Sequence, residues 1–201
     1  VSELDMMRGV YAAEEKMAKG RPLRWSADED PEAYIRYNNI VLATAGVQPP
    51  DLATSIAMLQ RFAERFKEFT FASFEDVRPV LTQLKERSLI TGVISNMARQ
   101  MAPMLRGLEL SQFIDHAVTP LDVDGVTKPA LPIFVEALSR AGITAAEAIH
   151  VGDEHFVDGI GARTAGLTPV ILDRYNLFPD LQGYLRISSL TELPGLIDSL
   201  Q

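Results

Sequence analysis

Apolar positions along this chain follow two rhythms, and the change between them falls near residue 73. From Leu52, apolar residues recur at Ile56, Leu59, Phe62 and Phe66, the spacing that lines one face of a helix. That face needs a partner. A second amphipathic stretch, from Glu3 to Lys19, sets Leu4, Met7, Tyr11 and Met17 on one side. Between the two, Asp30 followed by Pro31 reads as an N-cap and first-turn pair opening a helix that runs to Gly46. No strand is expected before residue 88.

Beyond Ser73 the pattern shortens. Ser73-Phe74-Glu75-Asp76 reads as a capping box for a helix carrying Val77, Val80, Leu81 and Leu84. Five apolar runs then alternate with helical patterns: LITGVIS (89–95), FIDHAVT (113–119), AIHVG (148–152), TPVIL (168–172) and, more weakly, YLRIS (184–188). The helices between and after them are expected near 98–108, 130–141, 156–165 and 191–200. Short apolar runs without alternation suit strands covered on both faces, and strand-helix repetition implies right-handed crossovers and a parallel sheet. The predicted fold is α/β, with an all-helical module at 1–73 followed at 74–201 by a Rossmann-like, doubly wound parallel-sheet core.

Composition narrows the function. With 201 residues and 47% apolar content, the chain can bury a real core, while a net charge of -8 disfavours nucleic acid or an acidic membrane as partner. There is no cysteine, so disulfide frameworks and thiolate metal sites are excluded. No apolar stretch approaches the roughly 18 residues of a membrane helix, and no charged-then-apolar leader opens the chain. A soluble, cytoplasmic protein acting on a small molecule is expected, and a homodimer is left open.

In an open parallel sheet, ligands bind beyond the carboxyl ends of the strands. Three such ends carry polar residues of one kind. TGVISN delivers Ser95 and Asn96; the loop before ALPIFVEALSRAG delivers Lys128; AIHVGDEHFVDG delivers Asp153 and Asp158. A hydroxyl beside a helix start can hold phosphoryl oxygens, and a lysine at the same rim would neutralise their charge. Two aspartates on a loop and first helical turn offer hard oxygen ligands for Mg²⁺. Together they describe a site for a phosphate monoester and magnesium, with Ser95, Asn96 and Lys128 on the phosphate and Asp153 and Asp158 on the metal. Taken singly, each feature has a plainer reading as turn chemistry, a solvated loop or a first-turn acid.

Residues 74–175 resemble the haloacid dehalogenase superfamily, phosphatase branch. VISN is similar to its second motif, GVTKPALPIF to its third, and HVGDEHFVDGIGARTAGL to its fourth, a GDxxxxD signature followed by a small-residue helix. The resemblance implies Ser95 on the transferring phosphoryl group, Lys128 as the third-motif lysine, and Mg²⁺ bound through Asp153 with Asp158 beside it or one layer further out. It also implies a helical cap, a small phosphorylated metabolite as substrate and an aspartyl-phosphate intermediate. The alternatives are a catalytically inactive binding or interaction module of the same fold, and a 2-haloacid dehalogenase, whose metal-free fourth motif differs from Gly-Asp.

One departure is serious. The family's nucleophile lies in a D-x-D-x-T stretch at the end of a first, central strand ahead of the cap. DVDGVT (122–127) has similar letters at Asp122 and Asp124, but no buried strand leads into it; DED (28–30) reads as capping. Neither is taken as nucleophile. The chain 1–201 is therefore expected to lack turnover by itself, and the strand's absence to leave two sheet edges facing each other. His150 is read as a satisfied core histidine, His155 as a loop residue, and Arg21, Arg24, Trp25 and Arg36 as surface with some claim on an anionic substrate. The run Gly159, Gly161, Ala162, Ala165, Gly166 is read as close helix packing with Gly166 at the C-cap.

Overall fold

The computed structural model describes residues 1–18, 31–66, 70–97 and 101–200, and the chain divides into two units, Val1–Thr70 and Phe71–Gln201. In the first, helix α1 (Glu3–Ala18) starts where Ser2 and Asp5 cap each other. The Asp5 N–H donates to Ser2 Oγ at 3.2 Å, and the Ser2 N–H to Asp5 Oδ2 at 2.9 Å. Helix α2 (Pro31–Thr44) packs so closely on α1 that a Cβ built on Gly9 would sit 2.4 Å from the Val41 carbonyl oxygen. Only glycine permits that approach. Helix α3 (Leu52–Phe66) follows Asp51, whose Oδ1 accepts the Thr54 N–H at 2.8 Å. Of the predicted apolar stripe on α3, Ile56 is exposed, and Leu59, Phe62 and Phe66 lie outside the described side chains. Asp30, Arg21, Arg24 and Trp25 also lie outside the described residues.

In the second unit, every run read as a strand forms one: β1 (Gly92–Ile94), β2 (His116–Val118), β3 (Ile149–Gly152), β4 (Thr168–Leu172) and β5 (Leu185–Ile187). Helices α4 (Val77–Glu86), α5 (Met101–Gly107), α6 (Leu131–Ala141), α7 (Gly161–Thr164) and α8 (Leu193–Leu200) alternate with them. All strand pairs are parallel, with Val93 opposite Ala117, Val151 opposite Val170 and Ile171 opposite Arg186. Among the described residues β1-β2 and β3-β4-β5 are separate sheets with no ladder joining β1 to β3, which leaves the two unpaired sheet edges that the sequence reading expects.

Helices cover both faces, as strands of unbroken apolar character require. Val80 and Leu84 of α4 and Leu193 of α8 bury against Val170 and Ile187. Ile133 and Phe134 of α6 and Ala162 of α7 bury against Val118 and Leu167. Met101 and Leu105 of α5 form a third cluster with Leu110, against which Leu81 and Val93 pack. No described helix is long and apolar enough to cross a membrane.

The capping box expected at Ser73–Asp76 does not form. Asp76 precedes α4, but its side chain makes no cap bond. Its carboxylate instead accepts a fork from Arg174 at 2.8 and 2.9 Å, the Ser189 hydroxyl at 2.8 Å and the Leu190 N–H at 2.9 Å. Charge-assisted, bidentate bonds outcompete a single neutral cap. They tie the start of α4 to the residues after β4 and β5. The hydrogen bonds from Arg174, aided by Ser189 and Leu190, hold the Asp76 carboxyl at about 2 against the opposing effect of burial.

Two predictions follow from this packing. Gly9→Ala should destabilise the helical unit by about 2 kcal/mol, because the obstructing atom is backbone and the helices must separate; urea unfolding followed by circular dichroism reads this. Asp76→Asn should cost about 3 kcal/mol at neutral pH, where it leaves Arg174 without its counter-charge. Since the folded carboxyl titrates at about 2 and an unfolded aspartate at 3.8, this stability is complete above that higher value and is lost as pH falls toward 2. The gap between wild type and variant should therefore close over that window in acid titrations of the melting temperature.

Candidate active site

The sequence-predicted residues converge at the carboxyl ends of β1 and β3. After β1, the Ser95 N–H donates to the Val118 carbonyl at 3.0 Å, extending the pairing with β2 by one bond. Ser95 Oγ then accepts the Met97 N–H at 3.0 Å, a local turn that ends the strand. The next side chain, Asn96, turns to the 127–130 loop: its Oδ1 accepts the Lys128 N–H at 2.7 Å, and its Nδ2 donates to the Lys128 carbonyl at 3.2 Å. That loop closes on itself through the Ala130 N–H and Thr127 carbonyl at 3.0 Å.

From this loop Lys128 crosses to the other sheet. Its Nζ donates to Asp158 Oδ1 at 2.6 Å, with the two side chains only 13% and 5% exposed. His150 Nε2 lies 3.0 Å from the same oxygen, and the Glu154 N–H donates to Oδ2 at 3.1 Å. Burial pushes the Asp158 carboxyl upward, but the charge of Lys128 and the hydrogen bond from His150 outweigh it and hold the group well below the usual carboxylate range. A buried ion pair persists when further hydrogen bonds satisfy its remaining valences, and here both carboxylate oxygens are engaged.

Local backbone shape makes this possible. The helix expected at 156–165 begins as a wide π turn, His155–Ile160, in which the Gly159 N–H reaches back five residues to the Glu154 carbonyl at 3.2 Å beside the Asp158 N–H at 2.7 Å. The turn presses Asp158 against β3, where a Cβ on Gly152 would lie 2.2 Å from Asp158 Cγ. Gly152 is therefore needed by its neighbour. Gly166, at φ +84°, ends α7 as the sequence predicts.

Asn96, Lys128 and Asp158 thus form one chain of direct contacts, and Ser95 and Asp153 flank it along the backbone. Asp153 is exposed at the end of β3, one residue before the Glu154 N–H that holds Asp158. Magnesium takes one or two carboxylates and fills its shell with water and substrate oxygens. Among the described residues no three acids or histidines gather as a protein-only metal cage; Asp153 and Asp158 are the residues that could hold such an ion. Asp153 offers the accessible carboxylate, and Asp158 is the buried neighbour already spent on Lys128.

Several residues take roles the sequence reading did not assign. His150, read as a satisfied core histidine, finds its partner in Asp158 and sets its ring edge-on to Phe134 at 5.2 Å. His155 is half-buried, packed edge-on to Tyr184 at 4.7 Å, with Arg163 over the same ring at 3.6 Å. Asp173 is buried at the carboxyl end of β4 and accepts the Leu177 and Phe178 N–H groups at 2.6 and 3.0 Å, shaping the loop beyond. The strand-end rule that selected Asp153 would have found it. Asp122 caps its own turn through Thr119 and binds Arg140 at 2.7 Å, and Asp124 occupies a left-handed turn at φ +53°, so neither is a poised nucleophile.

Comparison with known proteins gives the family. A family model described as haloacid dehalogenase-like hydrolase matches residues 10–172. The chain is 34% identical over 134 residues to the haloacid dehalogenase-like hydrolase domain-containing protein 3 of Mus musculus, covering 65% of this chain and 53% of that protein. It is 35% identical over 129 residues to a glyceraldehyde 3-phosphate phosphatase of Pyrococcus furiosus, covering 62% of this chain and 52% of that protein. The chain spans about half the length of these curated relatives. Among solved structures, a hydrolase of the same superfamily from Geobacter sulfurreducens superposes with a TM-score of 0.58 at 26% identity, over 98% of this chain and 90% of that one.

The ion pair makes a testable demand. Asp158→Asn should lower stability by about 3 kcal/mol, because Lys128 is left buried without its counter-charge. Adding Lys128→Met should restore part of that loss, since removing both partners leaves no lone buried cation. Urea midpoints of the two variants and wild type decide it: a double variant no more stable than Asp158→Asn would contradict the pairing.

Proposed function

The chain belongs to the haloacid dehalogenase-like hydrolase family, and on that footing we propose that it works as a magnesium-dependent phosphatase on small phosphate monoesters. The observation that carries this reading is the charge and donor pattern at the sheet rim. Lys128 donates to the buried Asp158, and the exposed Asp153 lies five residues before it at the end of β3, so carboxylates border the place where Ser95 and Lys128 would receive a phosphoryl group. A phosphate dianion entering beside carboxylates is repelled by them unless a divalent cation enters with it. Bound through Asp153, with Asp158 behind it, magnesium would supply that charge and polarise the phosphoryl oxygens.

Two residues of the chain serve the transferring group. The Ser95 hydroxyl and the Lys128 ammonium hold the negative charge that spreads over the phosphoryl oxygens, and Asp158 aims the lysine. The phosphoryl group passes to an aspartate other than Asp122 or Asp124 as its bond to the ester oxygen breaks and the alcohol leaves; water then cleaves the aspartyl-phosphate to release inorganic phosphate. The substrate is a small phosphorylated metabolite. The phosphatase named in Pyrococcus furiosus supports the reaction class.

The test is turnover of p-nitrophenyl phosphate by the full-length protein. EDTA should abolish it, added magnesium should restore it, and Ser95→Ala or Asp153→Asn should reduce kcat by at least about a hundred-fold. Metal-independent release of halide from a 2-haloacid would favour the dehalogenase alternative. Phosphate binding without any turnover would favour an inactive binding module.

A further inference from the structure

Asn96 stands beside Ser95 but directs its amide to another loop. Oδ1 accepts the Lys128 N–H at 2.7 Å and Nδ2 donates to the Lys128 carbonyl at 3.2 Å. Only one orientation of the amide satisfies both bonds; the flipped one would set donor against donor and acceptor against acceptor. In a sheet those two main-chain groups would pair with a neighbouring strand. Lys128 belongs to no described strand pairing, and the Asn96 side chain stands in for one.

The mechanical effect is specific. Two bonds to one residue fix both the position and the rotation of its main chain relative to the end of β1. From there a long, rotamer-rich side chain must place an ammonium accurately, and its entropy opposes that. Asp158 fixes the far end of the side chain at 2.6 Å. Asn96 fixes the near end. Without it, the lysine would be tethered only through Asp158, on the other sheet, and its distance from Ser95 would no longer be set.

Resting on the phosphatase reading above, we propose that Asn96 is a positioning residue. It clamps the Lys128 main chain to the end of β1, so that the ammonium and the Ser95 hydroxyl meet one phosphoryl group, and it does not itself grip the anion. A double-mutant cycle separates these roles. Inorganic phosphate is titrated calorimetrically, with magnesium present, into the full-length protein and its Asn96→Ala, Lys128→Met and combined variants. Asn96→Ala should weaken phosphate binding about ten-fold in the wild-type background. With Lys128 already replaced it should change binding by less than about two-fold. An equal loss in both backgrounds would mean direct contact with the anion and overturn the proposal.

A second measurement needs no phosphate. Asn96→Ala should speed both amide exchange at Lys128 and acetylation of its Nζ by acetic anhydride, each read by mass spectrometry. Unchanged rates refute the clamp whatever the titration shows. Faster rates in a protein whose wild type binds no phosphate would support the clamp and count against the phosphatase reading alone.

Discussion

The contact between Lys128 and Asp158 joins two sheets that share no ladder among the described residues. Backbone hydrogen bonds hold β1 to β2 and β3 to β4 and β5, whereas the carboxyl ends of β1 and β3 are linked through side chains. Such a link is conditional. Two desolvated charges are stable together only when geometry is good and the leftover valences are filled. Asp158 meets that condition with His150 on the oxygen it gives the lysine and the Glu154 N–H on the other. The glycine at 152 and the wide turn after it are the backbone features that let the carboxylate come so close to its own strand. The chemistry-bearing lysine and the architecture of the core therefore depend on the same few atoms.

Much of this was legible in the chain because it is written in local periodicity. All five strands occur where short apolar runs stood between helical patterns, including the weak run at 184–188. Those runs lack alternation because helices cover both faces: Val170 enters one apolar cluster, while Ile171, next along β4, approaches Gly159 of the π turn. The end of α7 at Gly166 could be read because a left-handed position just past a helix favours glycine. The site was legible for a different reason. Parallel strands all point one way, so residues that follow the strands in sequence gather at one edge in space.

What escaped the sequence lies in long-range pairing. Asp76 and Arg174 are 98 positions apart, and nothing local to either tells that a capping-box aspartate will be claimed by an arginine beyond β4. The same holds for Asn96, whose neighbour in sequence made phosphate the natural partner while its partner in space is the main chain 32 positions on. His150 looked like an apolar-strand histidine in need of any acceptor; which acceptor was set by the π turn, a distortion that no hydrophobic pattern encodes.

The contacts also give the rim a polarity. Ser95 Oγ receives the Met97 N–H, which occupies a lone pair and leaves the hydroxyl proton to point elsewhere. Lys128 gives one proton to Asp158, and an ammonium carries two more and no acceptor. Asp158, the carboxylate in contact with Lys128, has both oxygens engaged. Toward a ligand, Lys128 therefore presents donors only, and Ser95 a donor with one lone pair left. Against the ammonium, a neutral alcohol or amide would leave its own hydrogens unsatisfied at a cost of about 1–3 kcal/mol each. An anion with several equivalent acceptor oxygens would not. A preference of the lysine for anionic acceptors thus follows from how the core satisfies its own polar atoms.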